Sequence, residues 1–374
     1  MEQQQGYKMQ KILIAGGGTG GHIFPALAIA KALQKKVATS LLFVGAKGKM
    51  EMEKVPQAGY KIEGINIVGF NRSSLIRNIG LPFTLIKSFF QVKKIIQSFN
   101  PTAVIGVGGY STFPVLKYAQ AKHIPTFIHE SNSFAGKSNI LLGKNATKIF
   151  VANDGMEAFF PAEKICITGN PVRKNIVDST VSKEDAINFF GLCKNKKTVV
   201  AIGGSLGAKS INEAIVASIN RFEENNLQLI WQTGKVNAEK YKEAAKGKTN
   251  IWVNEFIKEM EMVYAAADVV ISRAGAMSVT ELCVVAKPTI FVPFPFAAED
   301  HQTINAMHLV NKQAALIVKD ANAKEELINT VIDLSGDEAL QKVLEENIKN
   351  FAIKNADEVI AKKILELIAN RNTI

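Results

Sequence analysis

Ala15–Leu33 reads AGGGTGGHIFPALAIAKAL. The apolar run KILIA, Lys11–Ala15, leads into it, and a second apolar run, LLFVG, Leu41–Gly45, follows it. Apolar run, glycine turn, helix-like segment, apolar run is the opening of a parallel α/β unit. Gly16, Gly18 and Gly21 fall in the spacing G-x-G-x-x-G, which lets a phosphate approach bare backbone at a helix N-terminus. Six consecutive Gly or Thr residues exceed what a tight strand-to-helix turn alone needs.

The same pattern continues along the chain. AVIGVGG (Ala103–Gly109), TFIHE (Thr126–Glu130) and KIFVA (Lys148–Ala152) read as further strands. The scheme then restarts with TVVAIGG (Thr198–Gly204), LQLIWQTG (Leu227–Gly234), NIWVNEF (Asn250–Phe256), DVVISRAG (Asp268–Gly275) and PTIFVPF (Pro288–Phe294). The expected fold class is α/β, with two Rossmann-like doubly wound domains at 1–173 and 174–351, joined near GNPVRKNI (Gly169–Ile176). An amphipathic helix at about 352–374 is expected to pack back on the first domain. Ligands of such sheets bind beyond the carboxyl ends of the strands, so two of them facing each other make a cleft.

The 374 residues carry ordinary globular composition, 47% hydrophobic and 21% charged. No stretch of about 20 apolar residues is present and the first ten residues lack an apolar core, so neither a membrane span nor a signal peptide is expected. Cys166, Cys193 and Cys283 fit no disulfide framework and no metal pair, in keeping with a reducing cytoplasm. Charge is unevenly divided. Residues 1–173 hold 21 Lys and Arg against 8 Asp and Glu, net +13, whereas residues 174–374 are net −2. A basic domain favours an anionic partner. The cations are scattered and no nucleic-acid motif accompanies them, so no nucleic acid is expected.

A dinucleotide site would normally place an acid at the end of the second strand, to hold the ribose. Here that strand ends Gly45-Ala46-Lys47. Lys47 suits a 2′-phosphate, which keeps an NADP-binding oxidoreductase open as an alternative. Two more glycine turns, GVGGYS (Gly106–Ser111) and GGSLGAKS (Gly203–Ser210), argue for a phosphate-bearing donor on one domain and an acceptor on the other. A non-catalytic sugar-nucleotide binding protein would share these features.

GGGTGGHIFPALAIA, GVGGYSTFP, HESNSFAGKSN, TGNPVR, GGSLGAKSIN, EFIKEM, SRAGAMSVTEL and FVPFPFAAEDHQTINA stand in this order over residues 10–370. In that order the chain resembles the MurG family of peptidoglycan glycosyltransferases. The resemblance implies the GT-B fold and transfer of N-acetylglucosamine from UDP-N-acetylglucosamine to undecaprenyl-pyrophosphoryl-N-acetylmuramyl-pentapeptide, without a cofactor. It implies a UDP-sugar site in the second domain. There Ile257 pairs with uracil through its backbone, Arg173 helps hold the nucleotide, and Glu281 accepts from the ribose hydroxyls. Ser205 and the backbone of Ala276, Met277, Ser278, Val279 and Thr280 line the diphosphate. Asn132 and Gln302 contact the sugar. Thr19, Gly20 and Gly21 close over the donor, and Gly108, Gly109 and Tyr110 lie on the acceptor side.

Other readings of these residues stand beside that one. Glu281 would also suit the first turn of a helix for dipole reasons. Asn132 would also shape a turn, Arg173 would also serve as a linker charge, and Ile257 would default to core. For chemistry, His22 is the candidate base, since a neutral imidazole beside the sugar can take the acceptor's hydroxyl proton. It would otherwise cap its helix or position a hydroxyl. Glu130 is the rival base. No D-x-D pair and no ligand-spaced cluster is present, so no metal is expected.

The segment SLIRNIGLPFTLIKSFFQVKKII, Ser74–Ile96, mixes Leu, Ile and Phe with Arg77, Lys87, Lys93 and Lys94. It reads either as a core helix with solvated lysines or as an interfacial surface on anionic lipid, with Leu75, Ile79, Leu81 and Phe83 inserting. A lipid-linked acceptor favours the second, at the cytoplasmic face of the plasma membrane.

Overall fold

The computed structural model describes residues 9–69, 80–204 and 206–371. These form two compact units, one running to Val172 and resuming at Asn355, the other Arg173–Lys354.

The first unit carries a parallel sheet of β1 (Gln10–Ala15), β2 (Thr39–Ala46), β3 (Ile62–Ile65), β4 (Ala103–Gly106), β5 (Thr126–Glu130), β6 (Lys148–Val151) and β7 (Ile165–Ile167). Their order is β3-β2-β1-β4-β5-β6-β7. The second carries β8 (Lys197–Ile202), β9 (Leu227–Gln232), β10 (Ile251–Asn254), β11 (Val269–Ser272), β12 (Thr289–Phe291) and β13 (Leu316–Ile317), ordered β10-β9-β8-β11-β12-β13. Both are doubly wound α/β sheets, as the alternation of apolar runs and helical segments implies.

In each sheet the strand order reverses beside its first strand, and register brings two loops together there. Ala15 pairs with both Val44 and Gly106, so the loops after β1 and β4 leave side by side. Ile202 pairs with Gln232 and Ser272, so the loops after β8 and β11 do the same. Such reversal points are where doubly wound sheets bind ligands.

The central strands are buried on both faces, which is why they read as continuous apolar runs. Ile12 and Ile14 face the helix Gly20–Lys36 and the C-terminal helix Ala356–Arg371, whose Ile360, Ile364 and Ile368 recur at helical spacing. Each of those isoleucines contributes about 1.5–3 kcal/mol on burial, enough together to hold the tail on the first sheet. Leu13 and Ala15 face the opposite way, onto Val92 and Ile96 of the helix Leu81–Phe99 and Val115 and Leu116 of Thr112–Ala121. Three strands absent from the sequence reading, β3, β7 and β13, are short and lie at sheet edges.

The first helix begins at Gly20, three residues before the apolar, helix-like segment Ile23–Leu33. Thr19 is extended, and its carbonyl accepts from the N–H groups of His22 (3.1 Å) and Ile23 (3.2 Å). Gly20 and Gly21 therefore belong to the helix, and His22 is its third residue. The helix Leu81–Phe99 has an open face of Phe83, Ile86, Lys87, Phe90 and Lys94, with Lys93 exposed beside it. Arg77, Leu75 and Ile79 lie outside the described residues.

Candidate active site

In the first unit the two glycine loops interlock at the reversal point. Gly17 N–H donates to the Gly108 carbonyl (3.1 Å), and Thr112 Oγ1 donates to Gly108 O (2.9 Å) and approaches Ala15 O (3.1 Å). Gly108 and Gly109 have φ of 95° and 92°, a region that favours glycine. Space demands glycine too. A Cβ on Gly108 would stand 2.6 Å from His22 Nε2, and one on Gly109 would stand 2.4 Å from Gly17 O.

His22 Nδ1 lies 2.9 Å from Gly17 O. A carbonyl only accepts, so Nδ1 carries a hydrogen, and the tautomer this selects for a neutral ring has its lone pair on Nε2. Helix capping by this side chain, the alternative reading, does not occur, because Thr19 occupies the cap position. Thr19, Gly20 and Gly21 form the entry to the same helix. Tyr110 is half exposed, with its ring against Gly69, where a Cβ would come within 2.1 Å.

Glu130 differs from a poised base. It is 4% exposed. Its Oε1 accepts from Asn132 N (3.1 Å) and Asn132 Nδ2 (3.3 Å), and its Oε2 from Gly136 N (3.1 Å) and Asn139 Nδ2 (2.8 Å). Four donors make this carboxylate the clamp of the loop that follows β5. Asn132 turns its amide back to that clamp, which matches the turn-shaping reading.

His129 was not singled out from sequence. It is 1% exposed at the end of β5. Burial pushes its pKa down to about 4, partly opposed by the Gly169 backbone, and the charge of His22 adds to the lowering. Its signal in sequence is only a histidine inside an apolar strand, which does not distinguish core from site.

In the second unit Glu281 is the centre of a polar cluster. Arg173 donates through Nε (3.0 Å) and Nη2 (2.9 Å) to Glu281 Oε1, and Tyr264 Oη donates to Oε2 (2.9 Å). Burial and the Glu281 charge push the Tyr264 phenol well above its ordinary pKa, with Arg173 opposing, so it stays a donor. Glu281 does not open its helix, as a dipole reading requires. The helix Ala276–Val285 starts after extended Gly275, and Glu281 is its sixth residue. Arg173 is likewise not a solvated linker charge. Ala276, Met277, Ser278, Val279 and Thr280 form the first turn and a half, with no acidic residue in the first turn.

The remaining residues of the predicted site are more dispersed in role. Ile257 is 3% exposed and its N–H donates to Gln232 Oε1 (3.1 Å). Gln302 Oε1 accepts from Phe294 N (3.0 Å). Ser205 lies outside the described residues. Arg273, not anticipated, follows β11 and ties neighbouring loops together through Val292 O (2.8 Å), Asp320 Oδ1 (2.5 Å) and Ser210 Oγ (3.2 Å). Among the described residues no three His, Cys, Asp or Glu side chains gather as a metal site would require.

Two doubly wound sheets in tandem, each with its loops gathered at a strand-order reversal, have the architecture of the GT-B class of glycosyltransferases. Residues 12–151 match the glycosyltransferase family 28 N-terminal domain and residues 198–364 the glycosyltransferase family 28 C-terminal domain, and the chain belongs to that family. It is 47% identical over 362 residues to the UDP-N-acetylglucosamine–N-acetylmuramyl-(pentapeptide) pyrophosphoryl-undecaprenol N-acetylglucosamine transferase of Bacteroides fragilis, covering 96% of this chain and 95% of that one. A protein of the same name from Cytophaga hutchinsonii is 47% identical over 369 residues, 98% and 99% of the two chains. The crystal structure of Acinetobacter baumannii MurG is similar with a TM-score of 0.78 at 29% identity, covering 96% of this chain and 99% of that one.

Proposed function

We propose that this protein transfers N-acetylglucosamine from UDP-N-acetylglucosamine to the C4 hydroxyl of the N-acetylmuramyl unit of undecaprenyl-pyrophosphoryl-N-acetylmuramyl-pentapeptide (lipid I). The product is lipid II, a peptidoglycan precursor. The observation that carries this reading is 47% identity, sustained over 96% of the chain, to a transferase named for that reaction.

The residues support a division of labour. The second unit holds the donor. Glu281, already aligned by Arg173 and Tyr264, accepts from the ribose hydroxyls with lone pairs those donors leave over. Backbone N–H groups at the start of Ala276–Val285 face the diphosphate, where developing negative charge is favoured. Ile257 meets uracil through its carbonyl, since its N–H is committed to Gln232. The first unit supplies the base. The acceptor's C4 oxygen attacks the anomeric carbon, the bond to the diphosphate oxygen breaks with inversion, and the hydroxyl proton passes to His22 Nε2. His22 is preferred to Glu130 because its Nε2 has a lone pair to offer, whereas four donors hold Glu130.

The NADP reading loses support at the first glycine loop. Gly18 N–H, a natural donor to a pyrophosphate, is given instead to the Glu51 carboxylate (2.7 Å), which would repel one.

With a lipid-linked acceptor, the proposed location is the cytoplasmic face of the plasma membrane, against anionic lipid. Phe83, Ile86 and Phe90 are 76%, 56% and 69% exposed, and they share one helix with exposed Lys87, Lys93 and Lys94. Apolar side chains flanked by cations suit an interfacial surface. Among the described residues no helix is long and apolar enough to cross a membrane.

The reaction is tested by incubating the protein with radiolabelled UDP-N-acetylglucosamine and a lipid I analogue. Label in the lipid fraction with release of UDP is the expected result. Tight UDP-N-acetylglucosamine binding without transfer would instead indicate a binding protein.

A further inference from the structure

The peptide group joining Gly17 to Gly18 is held from both ends. Its N–H donates to Glu51 Oε2 (2.7 Å), and its carbonyl accepts from His22 Nδ1 (2.9 Å). The other carboxylate oxygen of Glu51 accepts from Ala46 N (2.9 Å), at the end of β2. Glu51 is 1% exposed, and its carboxylate lies so close to the loop that a Cβ on Gly17 would stand 2.2 Å from its Cδ.

We propose that Glu51 is a positioning residue for His22 and acts through this one peptide group. The inference rests on the reading of His22 as the base. A carboxylate against an amide N–H draws electron density toward the amide oxygen, and linked hydrogen bonds strengthen one another. The Gly17 carbonyl thereby becomes a better acceptor for Nδ1–H. It holds the ring in the tautomer that leaves Nε2 basic, and it stabilises the imidazolium formed when Nε2 takes the acceptor's proton. No proton crosses the peptide. Nδ1 keeps its hydrogen throughout, and the transferred proton resides on Nε2. A carboxylate bonded directly to a catalytic imidazole does the same work in a Ser-His-Asp triad. Here a single peptide unit stands between the two groups. The missing acid at the end of β2 is thus supplied five residues beyond Ala46, and it is turned onto the loop rather than toward a ribose.

The test is a double-mutant cycle on the full chain. Turnover is measured with UDP-N-acetylglucosamine and a lipid I analogue for wild type, Glu51→Gln, His22→Ala and the double variant. Circular dichroism and UDP calorimetry check that each is folded. Partners that orient a metal-bound histidine from behind typically matter about 10–100-fold, and an effect of that size is expected for a carboxylate behind His22. Glu51→Gln is therefore expected to lower kcat by that factor, with the donor KM within about threefold. In the His22→Ala background it should change the residual rate by less than about threefold. A merely structural glutamate would cost the same factor in both backgrounds, and that result overturns the proposal, as does a Glu51→Gln kcat within about threefold of wild type. Should Glu51→Gln lose its fold, Glu51→Asp takes its place in the cycle, with the same two outcomes deciding. Full activity of His22→Ala would overturn the base reading itself. A slowed His22→Ala with an independent Glu51 effect overturns only the coupling.

Discussion

Arg173 and Glu281 stand 108 residues apart in sequence and are joined by two hydrogen bonds, from Nε at 3.0 Å and Nη2 at 2.9 Å, onto one carboxylate oxygen. Both donors of the guanidinium edge fall on Oε1, and Tyr264 takes Oε2, so the carboxylate plane is set before any ligand arrives.

Glu281→Ala should therefore weaken UDP binding. Hydrogen bonds to a charged group are worth about 1.5–3 kcal/mol, or roughly 10–100-fold in affinity. Arg173→Ala and Tyr264→Phe should weaken it by less, because each leaves the carboxylate in place but poorly aligned. Calorimetry with UDP checks the order. Unchanged affinity in Glu281→Ala would remove this residue from the ribose site.

His22→Ala should lower turnover by about 10²–10⁴-fold, the range typical of a general base, with donor binding retained. Glu130→Gln should act differently. A glutamine amide would point one NH₂ at donors that now meet a carboxylate oxygen, so the loop after β5 loosens. The expected signature is faster hydrogen exchange at 131–139. A turnover loss as large as that of His22→Ala, with exchange at 131–139 unaltered, would restore Glu130 as the base.

His129 makes the first unit sensitive to acid. Its pKa is depressed to about 4 in the fold against an ordinary value of about 6.5. Below the higher value the unfolded chain binds a proton that the folded one refuses, so stability is fully present above about pH 6.5 and declines toward pH 4. The expected loss from pH 7 to pH 5 is about 2 kcal/mol. Hydrogen exchange of the Thr126–Glu130 amides, corrected for intrinsic rates, reads it. A His129→Gln variant should lose this pH dependence, and an unchanged slope in that variant would assign the effect elsewhere.

Anionic vesicles should sediment the protein in low salt and less of it in high salt. Cations near an anionic leaflet contribute roughly 1 kcal/mol each and are screened over about 10 Å at 0.1 M salt. Replacing Lys87, Lys93 and Lys94 by Gln should remove much of the salt-sensitive part. Replacing Phe83, Ile86 and Phe90 by Ser should remove the remainder. Wild-type binding by both variants would mean that this helix face does not meet the membrane.

Much of the architecture was legible in the chain itself. Strands β1, β4, β8 and β11 announce themselves because they are buried on both faces and run into loops that contain glycine. The repeat of that pattern after residue 197 implies a second sheet. The edge strands β3, β7 and β13 were not legible, since four, three and two residues are too few to set a readable pattern. The start of the first helix at Gly20 was not legible, because the glycines that follow Thr19, the N-cap residue, look like loop.

The candidate site divides along the same line. Sequence alone determined which residue types stand where: three glycine loops at strand ends, a histidine after the first, an acid in SRAGAMSVTEL. Those follow from local periodicity and from the space that glycine leaves. Only the tertiary structure decided how each carboxylate is used. Glu130 is spent on its own loop, Glu281 is aligned by Arg173 and Tyr264, and Glu51 reaches the peptide behind His22. For Glu281 and Glu51 the physical reason is that hydrogen-bond partners depend on strand register and helix placement, which bring together residues far apart in the chain. Glu130 meets donors of its own loop, whose shape no periodic pattern encodes.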